Sequence, residues 1–411
     1  MFRWLKSKYG TKVFLLLTFF GSLLYIPMFI SMVNRRKLEF HSDHVPYSYK
    51  KILIWGEKLP QFILNLMMYD FDNDKCGGCE VVEYANSPYV DAYTYDAVVF
   101  DFNRVTLRHD IFRRRRPDQF YVFFSAESTS ALRTAHMVSM AGYENVFNLS
   151  MSYRRDSDIY APYGTTNRTF KALKNKYGDL TTELLETRLQ QKNKMALWVG
   201  SNCGFTAGAE TRIDFVKKLR AILGSKLKLK GLCSDNPKEE KYGGFDNFFD
   251  DIAQYKFYFA FENSYHCKDY ITEKLWENSL LSTTVPVVWG PSKKDVEELA
   301  PPNSFIHADD FYSEQALSDY LLYLDQNDTA YREYFSWWFN NETSHHRDKP
   351  VGLCQLCNLL NTSPLPRQTI RHPASWLYGQ ENRECTFSKR MNMPAWRTFI
   401  YLLFRRFRGL L

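Results

Sequence analysis

The sequence predicts an α/β protein of two doubly wound lobes behind one N-terminal membrane helix. Two series of short apolar runs alternate with helical patterns on either side of a polar stretch at 171–193, and an uncharged apolar run of spanning length stands at 13–33. Runs rich in β-branched and aromatic residues, without polar alternation, suit strands covered on both faces, as in parallel sheets. Strand–helix alternation carried through twice is the pattern of two such sheets.

The anchor comes first. Val13–Val33 carries no charge, and its length matches the roughly 20 residues that cross a bilayer core. Arg3, Lys6, Lys8 and Lys12 precede it, and Arg35, Arg36 and Lys37 follow. The run exceeds the ~7–15-residue core of a cleaved signal peptide and ends in no small-x-small site, which favours a retained signal anchor. This reading makes 1–12 a cytoplasmic tail, 13–33 the anchor and the polar 34–48 a stem. Five triplets beginning at Asn148, Asn167, Asn327, Asn341 and Asn361 fit the glycosylation acceptor pattern. With eight cysteines, an even count, they point to a lumenal, oxidising compartment.

The first lobe is read over 49–185. Its strands are expected at Lys51–Gly56, Asp96–Phe100 and Gln119–Phe124, with an extended segment at Asn145–Tyr153. The polar stretch 171–193, read as helical, carries the boundary. The second lobe, 190–365, opens with a strand at Met195–Ser201. A helix follows over Thr211–Gly224, with Ile213, Val216, Leu219, Ile222 and Leu223 on one face. Leu227–Cys233, Lys256–Phe261 and Thr284–Gly290 are its further strands, and Glu314–Asn327 its last clear helix. Residues 366–411 form a C-terminal extension, whose apolar and basic end, Trp396–Leu411, is too short to span and reads as a packed helix.

Composition sets limits. Of 411 residues 45% are hydrophobic, ample for two cores, and the formal net charge is only +7. Arg113–Arg116, the densest basic run, reads as a solvated loop. With no zinc-finger spacing, RNA-binding signature or basic zipper, nucleic acid is not an expected partner.

The chemistry gathers in "FENSYHCKDYITEKLWENSLLSTTVPVVWG", Phe261–Gly290. It reads as the loop, helix and second strand of a crossover that begins at Lys256. In open α/β sheets ligands bind beyond the carboxyl ends of the strands, where Glu262, Asn263 and Ser264 fall. A helix opening near Asp269–Thr272, both good capping types, would put Glu273 and Lys274 in its first turn, suited to ribose hydroxyls and to phosphate. Neither G-x-G-x-x-G nor a Walker loop is present.

This stretch resembles the signature of the α1,3/α1,4-fucosyltransferases, Golgi enzymes that use GDP-fucose. "FNLSMSYRRDSDIYAPYG" (Phe147–Gly164), "FFSAES" (Phe123–Ser128), "SNC" (Ser201–Cys203) with Arg212 downstream, and "CQLC" (Cys354–Cys357) extend the resemblance in the family's order. It implies a GT-B fold of two facing Rossmann-like lobes and inverting α1,3 transfer of fucose to GlcNAc of a glycoprotein or glycolipid glycan, with the N-glycan core and the antennae both open as acceptors. It also implies residence in the Golgi membrane. No cofactor is obligatory on this reading, with Mn²⁺ stimulation left open. Residue by residue, Glu127 matches the family's proposed base, and Arg212, Asn263, Tyr270, Glu273 and Lys274 match contacts to the nucleotide sugar. Arg154 and Arg155 fall at the cleft without assigned roles. Asp156-Ser-Asp158 has the form of a metal-binding D-x-D triplet but lies inside a longer family motif, so no metal ligand is assigned. Two other readings remain: a non-catalytic glycan-binding relative, and a metal-dependent transferase of another sugar nucleotide.

The cysteines form two close pairs, Cys76/Cys79 and Cys354/Cys357. In an oxidising lumen these are expected to be disulfides that staple distant parts of the chain, rather than zinc ligands. Cys203 and Cys233 are candidates for a further bridge; Cys267 and Cys385 are not placed.

Overall fold

The computed structural model describes residues 49–379 together with Cys385, apart from 57, 70, 84–90, 103–114, 135–139, 141, 205, 238–247, 265, 340–349 and 363–367. The expected anchor at 13–33, the sequon at Asn341 and the segment Trp396–Leu411 lie outside the described residues.

Two fully parallel sheets organise the chain. The first runs β1 (Lys50–Trp55), β2 (Cys79–Glu83), β3 (Ala97–Asp101), β4 (Phe120–Ser125), β5 (Leu149–Ser152) and β6 (Ile159–Tyr160), in spatial order β2-β1-β3-β4-β5-β6. The second runs β7 (Lys194–Val199), β8 (Leu227–Lys230), β9 (Tyr255–Phe261), β10 (Val285–Trp289) and β11 (Ile306–His307), in order β11-β10-β9-β7-β8. Central strands such as β3 and β10 are buried at every residue, which is why they read as unbroken apolar runs. In each sheet the second strand lies to one side of the first and the third to the other. The order therefore reverses between β1 and β3, and again between β7 and β9. β2, with Glu80 and Glu83 among its five residues, and the two-residue β6 escape a reading based on apolar runs.

The lobes exchange segments at their borders. Helices Thr166–Tyr177 and Thr182–Gln190 bury Phe170, Leu173 and Leu185 in the core of the second lobe, although the sequence reading placed most of them in the first. Conversely, helix Gly352–Asn361 buries Leu353, Cys354, Leu356 and Cys357 against β1-side residues of the first lobe. The range 190–365 therefore overruns the second lobe. Within the extension, helix Pro373–Tyr378 returns to the first sheet, with Leu377 and Tyr378 packed among Phe100, Phe123 and Phe147.

Disulfides fix this exchange. Cys76 pairs with Cys354 and Cys79 with Cys357, so the two C-x-x-C units staple the ends of the first lobe as expected. Cys203–Cys233 joins the loops after β7 and β8, and Cys267 finds Cys385.

Two expectations change. Of the arginine run, Arg113 and Arg114 lie outside the described residues, but Arg115 and Arg116 are structural clamps rather than solvated. Arg115 donates to the carbonyls of Gln119 and Val146 and stacks over Tyr121, and Arg116 pairs with Asp118 and Asp96. The helix expected from Thr211 begins at Ala207, capped by the Thr206 hydroxyl; the small residues Gly208 and Ala209 of its first turn leave no apolar periodicity to read. Among the sequons, Asn148 Oδ1 accepts from the Tyr121 N–H and its Nδ2 donates to the Gln368 carbonyl, so this side chain packs the first lobe.

Candidate active site

The site forms where the strand order of the second sheet reverses, at the carboxyl ends of β7 and β9. Arg212 spans this crevice. Its guanidinium donates to the carbonyl of Phe261 at the end of β9 (2.9 Å) and to that of Asn202 beyond β7 (3.1 Å). Only 3% exposed, it keeps a buried Nε–H without a partner among the described residues. An unsatisfied buried donor costs about 1–3 kcal/mol.

Close backbone approach makes the crevice. A Cβ on Gly208, in the first turn of helix Ala207–Leu223, would lie 2.5 Å from Ser264 Cα. The Thr206 hydroxyl donates to the Asn263 carbonyl, so the helix start is locked onto the loop after β9. Asn263 itself is half-buried, with Oδ1 accepting from the Ser264 hydroxyl at 3.0 Å.

Lys274 lies in a cluster that the sequence only partly announced. Its ammonium meets Glu262 Oε2 (3.0 Å), Glu273 Oε1 (3.0 Å) and the Thr272 hydroxyl (2.6 Å). Burial works against its charge, but the two carboxylates outweigh burial and hold its pKa well above the ordinary lysine range. Glu262 accepts from both the backbone N–H and the hydroxyl of Thr272 at 2.9 Å. Room for Glu262 comes from Gly290, whose φ of +125° and absent Cβ leave the carboxylate stem clear. Glu273 remains partly exposed, and Lys274 more than offsets burial to lower its pKa.

The helix here differs from expectation. It is a π-helix, Lys274–Leu280, with Glu273 before it and no side-chain cap. Such turns recur at functional sites. Asp269 and Thr272 are not its caps: Thr272 holds Glu262, and Asp269, at φ +59°, takes the Arg155 guanidinium.

Glu127 lies on the other lobe, just past β4. Its Oε1 accepts from the Ser128 N–H (2.9 Å) and, across the cleft, from the Tyr270 hydroxyl (2.8 Å). Burial, and then the Glu127 charge, push the Tyr270 phenol far above its ordinary pKa, so it stays a donor. The Ser128 and Ser264 hydroxyls also meet across the cleft. Five of the six expected residues thus frame one crevice of the second lobe, and Glu127 reaches into it from the first.

Arg154, Arg155 and the D-x-D triplet serve the frame. Arg154 is bidentate to Asp156 and donates to the carbonyls of Trp376 and Leu377. Arg155 ties the β5–β6 turn to Asp269, Asp295 and Glu298 of the second lobe. Asp158 accepts from the backbone and hydroxyl of Ser150. Each carboxylate of the triplet is therefore committed to a protein partner.

Two family models match: "Fucosyltransferase, N-terminal" over 47–164 and "Glycosyltransferase family 10 (fucosyltransferase) C-term" over 189–376. A 3-galactosyl-N-acetylglucosaminide 4-α-L-fucosyltransferase of Bos taurus is 37% identical over 272 residues, 64% of each chain. A 4-galactosyl-N-acetylglucosaminide 3-α-L-fucosyltransferase of Homo sapiens is 39% identical over 264 residues, 64% of this chain and 65% of its own. The matched region thus spans just under two thirds of these relatives. A solved α1,3-fucosyltransferase with GDP superposes with a TM-score of 0.48 at 17% identity, over 78% of this chain and 91% of that one.

Proposed function

From the premise that this chain belongs to glycosyltransferase family 10, we propose that it transfers fucose from GDP-fucose, with inversion and in α1,3 linkage, to GlcNAc of a glycan. The observation that carries this reading is the division of the site. A carboxylate, Glu127, stands on the first lobe. Facing it at the switch point of the second lobe are a buried cation with an unsatisfied donor, Arg212, and a second cation, Lys274. Two facing Rossmann-like lobes with a nucleotide at the second are the plan of a GT-B enzyme.

Each group has a role that its chemistry suits. Glu127 takes the proton from the acceptor hydroxyl as its oxygen attacks the anomeric carbon. Arg212 and Lys274 receive the charge that builds on the departing diphosphate. Asn263 and Glu273 border the sugar and ribose hydroxyls; Glu273, partly exposed beside Lys274, is the carboxylate open to them.

We also propose a single-pass anchor at 13–33 with the folded body in the Golgi lumen. Four disulfides among the described residues fit an oxidising compartment. The purified full chain, given GDP-fucose and a panel of GlcNAc-containing glycans, tests the activity. A fucosylated product detected by mass spectrometry supports it; donor turnover with no fucosylated glycan, or use of a different sugar nucleotide only, contradicts it.

A further inference from the structure

We propose that Tyr270 is a positioning residue for the base: its hydroxyl pins Glu127 Oε1, leaving Oε2 to take the acceptor proton, and the Cys267–Cys385 bridge holds it there. This role rests on the assignment of Glu127 as base.

The geometry carries it. Both hydrogen bonds to the Glu127 carboxylate, from Tyr270 Oη and the Ser128 N–H, end on Oε1. Among the described residues Oε2 accepts none. A carboxylate held by two donors on one oxygen has one orientation instead of many, and its unpaired oxygen is the stronger acceptor. Orientation of this kind supplies part of the rate in positioned proton transfer.

Tyr270 is itself fixed. Its ring is 3% exposed and meets Tyr153 and Tyr163 edge-on, at centroid distances of 5.0 and 6.2 Å. The Tyr163 hydroxyl donates to the Ala126 carbonyl, next to Glu127, at 2.7 Å. The Cys267–Cys385 disulfide packs in the same small cluster as Tyr153 and Tyr270. Cys385 Sγ also lies 2.9 Å from the hydroxyl of Thr129, two residues beyond Glu127. The C-terminal extension thus reaches the cleft through this bridge and closes the cage around Tyr270. A residue serving only the donor would have no need of a hydroxyl aimed at the opposite lobe.

The test is Tyr270→Phe in the full chain, which keeps the ring and removes one oxygen. Expected are a kcat lower by roughly ten- to hundredfold, the range of one hydrogen bond to a charged group, and an unchanged KM for GDP-fucose and Kd for GDP. In a Glu127→Gln background the same change should cost nothing further, because no carboxylate remains to orient. Weakened GDP binding that accounts for the whole loss, unchanged kcat, or multiplicative losses in the double variant would each overturn the role. Full activity of Glu127→Gln alone would instead overturn the base assignment on which it rests. Replacing Cys267 and Cys385 together by Ser should lower kcat in the same direction, again without weakening GDP; unaltered kcat would remove the bridge from the account.

Discussion

Lys274 Nζ lies 3.0 Å from Glu262 Oε2, and the Glu262 side chain is only 2% exposed. Removing Glu262 leaves Lys274 with only the partly exposed Glu273 as its carboxylate partner, and losing a buried partner of this kind costs up to about 3–5 kcal/mol. Glu262→Ala should therefore destabilise the protein by roughly that amount, whereas Glu262→Gln, which can still accept from Thr272, should cost less. Thermal unfolding of the two variants beside the wild type checks the order; midpoints equal to that of the wild type would show that the pair contributes little.

Arg212→Ala and Lys274→Ala should weaken GDP more than guanosine, because both cations are assigned to the diphosphate. Charge-assisted contacts of about 1.5–3 kcal/mol correspond to roughly ten- to hundredfold in Kd. Calorimetric titration with GDP and guanosine decides it. Parallel loss for both ligands would move the residue away from the phosphates.

Gly208→Ala should damage the site more than the fold around it. Its new methyl would meet the backbone of Ser264 and Asn263 at 2.5–2.7 Å, so helix Ala207–Leu223 and the β9 loop must part. The expected outcome is a GDP affinity lower by about tenfold or more, the loss of one charged contact, with far-UV circular dichroism unchanged. Wild-type affinity would show that this approach is not needed for nucleotide binding.

Much of the fold was legible because parallel strands buried on both faces print themselves as apolar runs: β3, β4, β9 and β10 fall within a residue or two of their expected bounds. The exchange of border segments was not. Nothing local in Gly352–Asn361 says which lobe its apolar face covers; long-range bridges to Cys76 and Cys79 decide that. The site divides likewise. Arg212, Asn263, Tyr270, Glu273 and Lys274 were named from their motif, but the Glu262–Lys274 pair and the Tyr270–Glu127 contact are products of tertiary closure. Thr272 looked like a cap, and only the fold shows its hydroxyl on Glu262. Cys267 and Cys385 had no pairing signal in their spacing, since 118 residues separate them.

Non-reducing peptide mapping of the secreted, oxidised protein should recover Cys76–Cys354, Cys79–Cys357, Cys203–Cys233 and Cys267–Cys385. On the chain-entropy view the Cys267–Cys385 bridge, which closes a loop of 118 residues, contributes about 4–5 kcal/mol. Free thiols at the two C-x-x-C units with a bound zinc ion would contradict this arrangement.

The division of labour between the lobes is tested most directly by Glu127→Gln, assayed for both fucose transfer and GDP binding. Transfer should fall by about 10²-fold or more, the contribution of a general base, with the Kd for GDP, measured by calorimetry, close to that of the wild type. Transfer at the wild-type rate, or a loss of GDP binding as large as the loss of transfer, would contradict it.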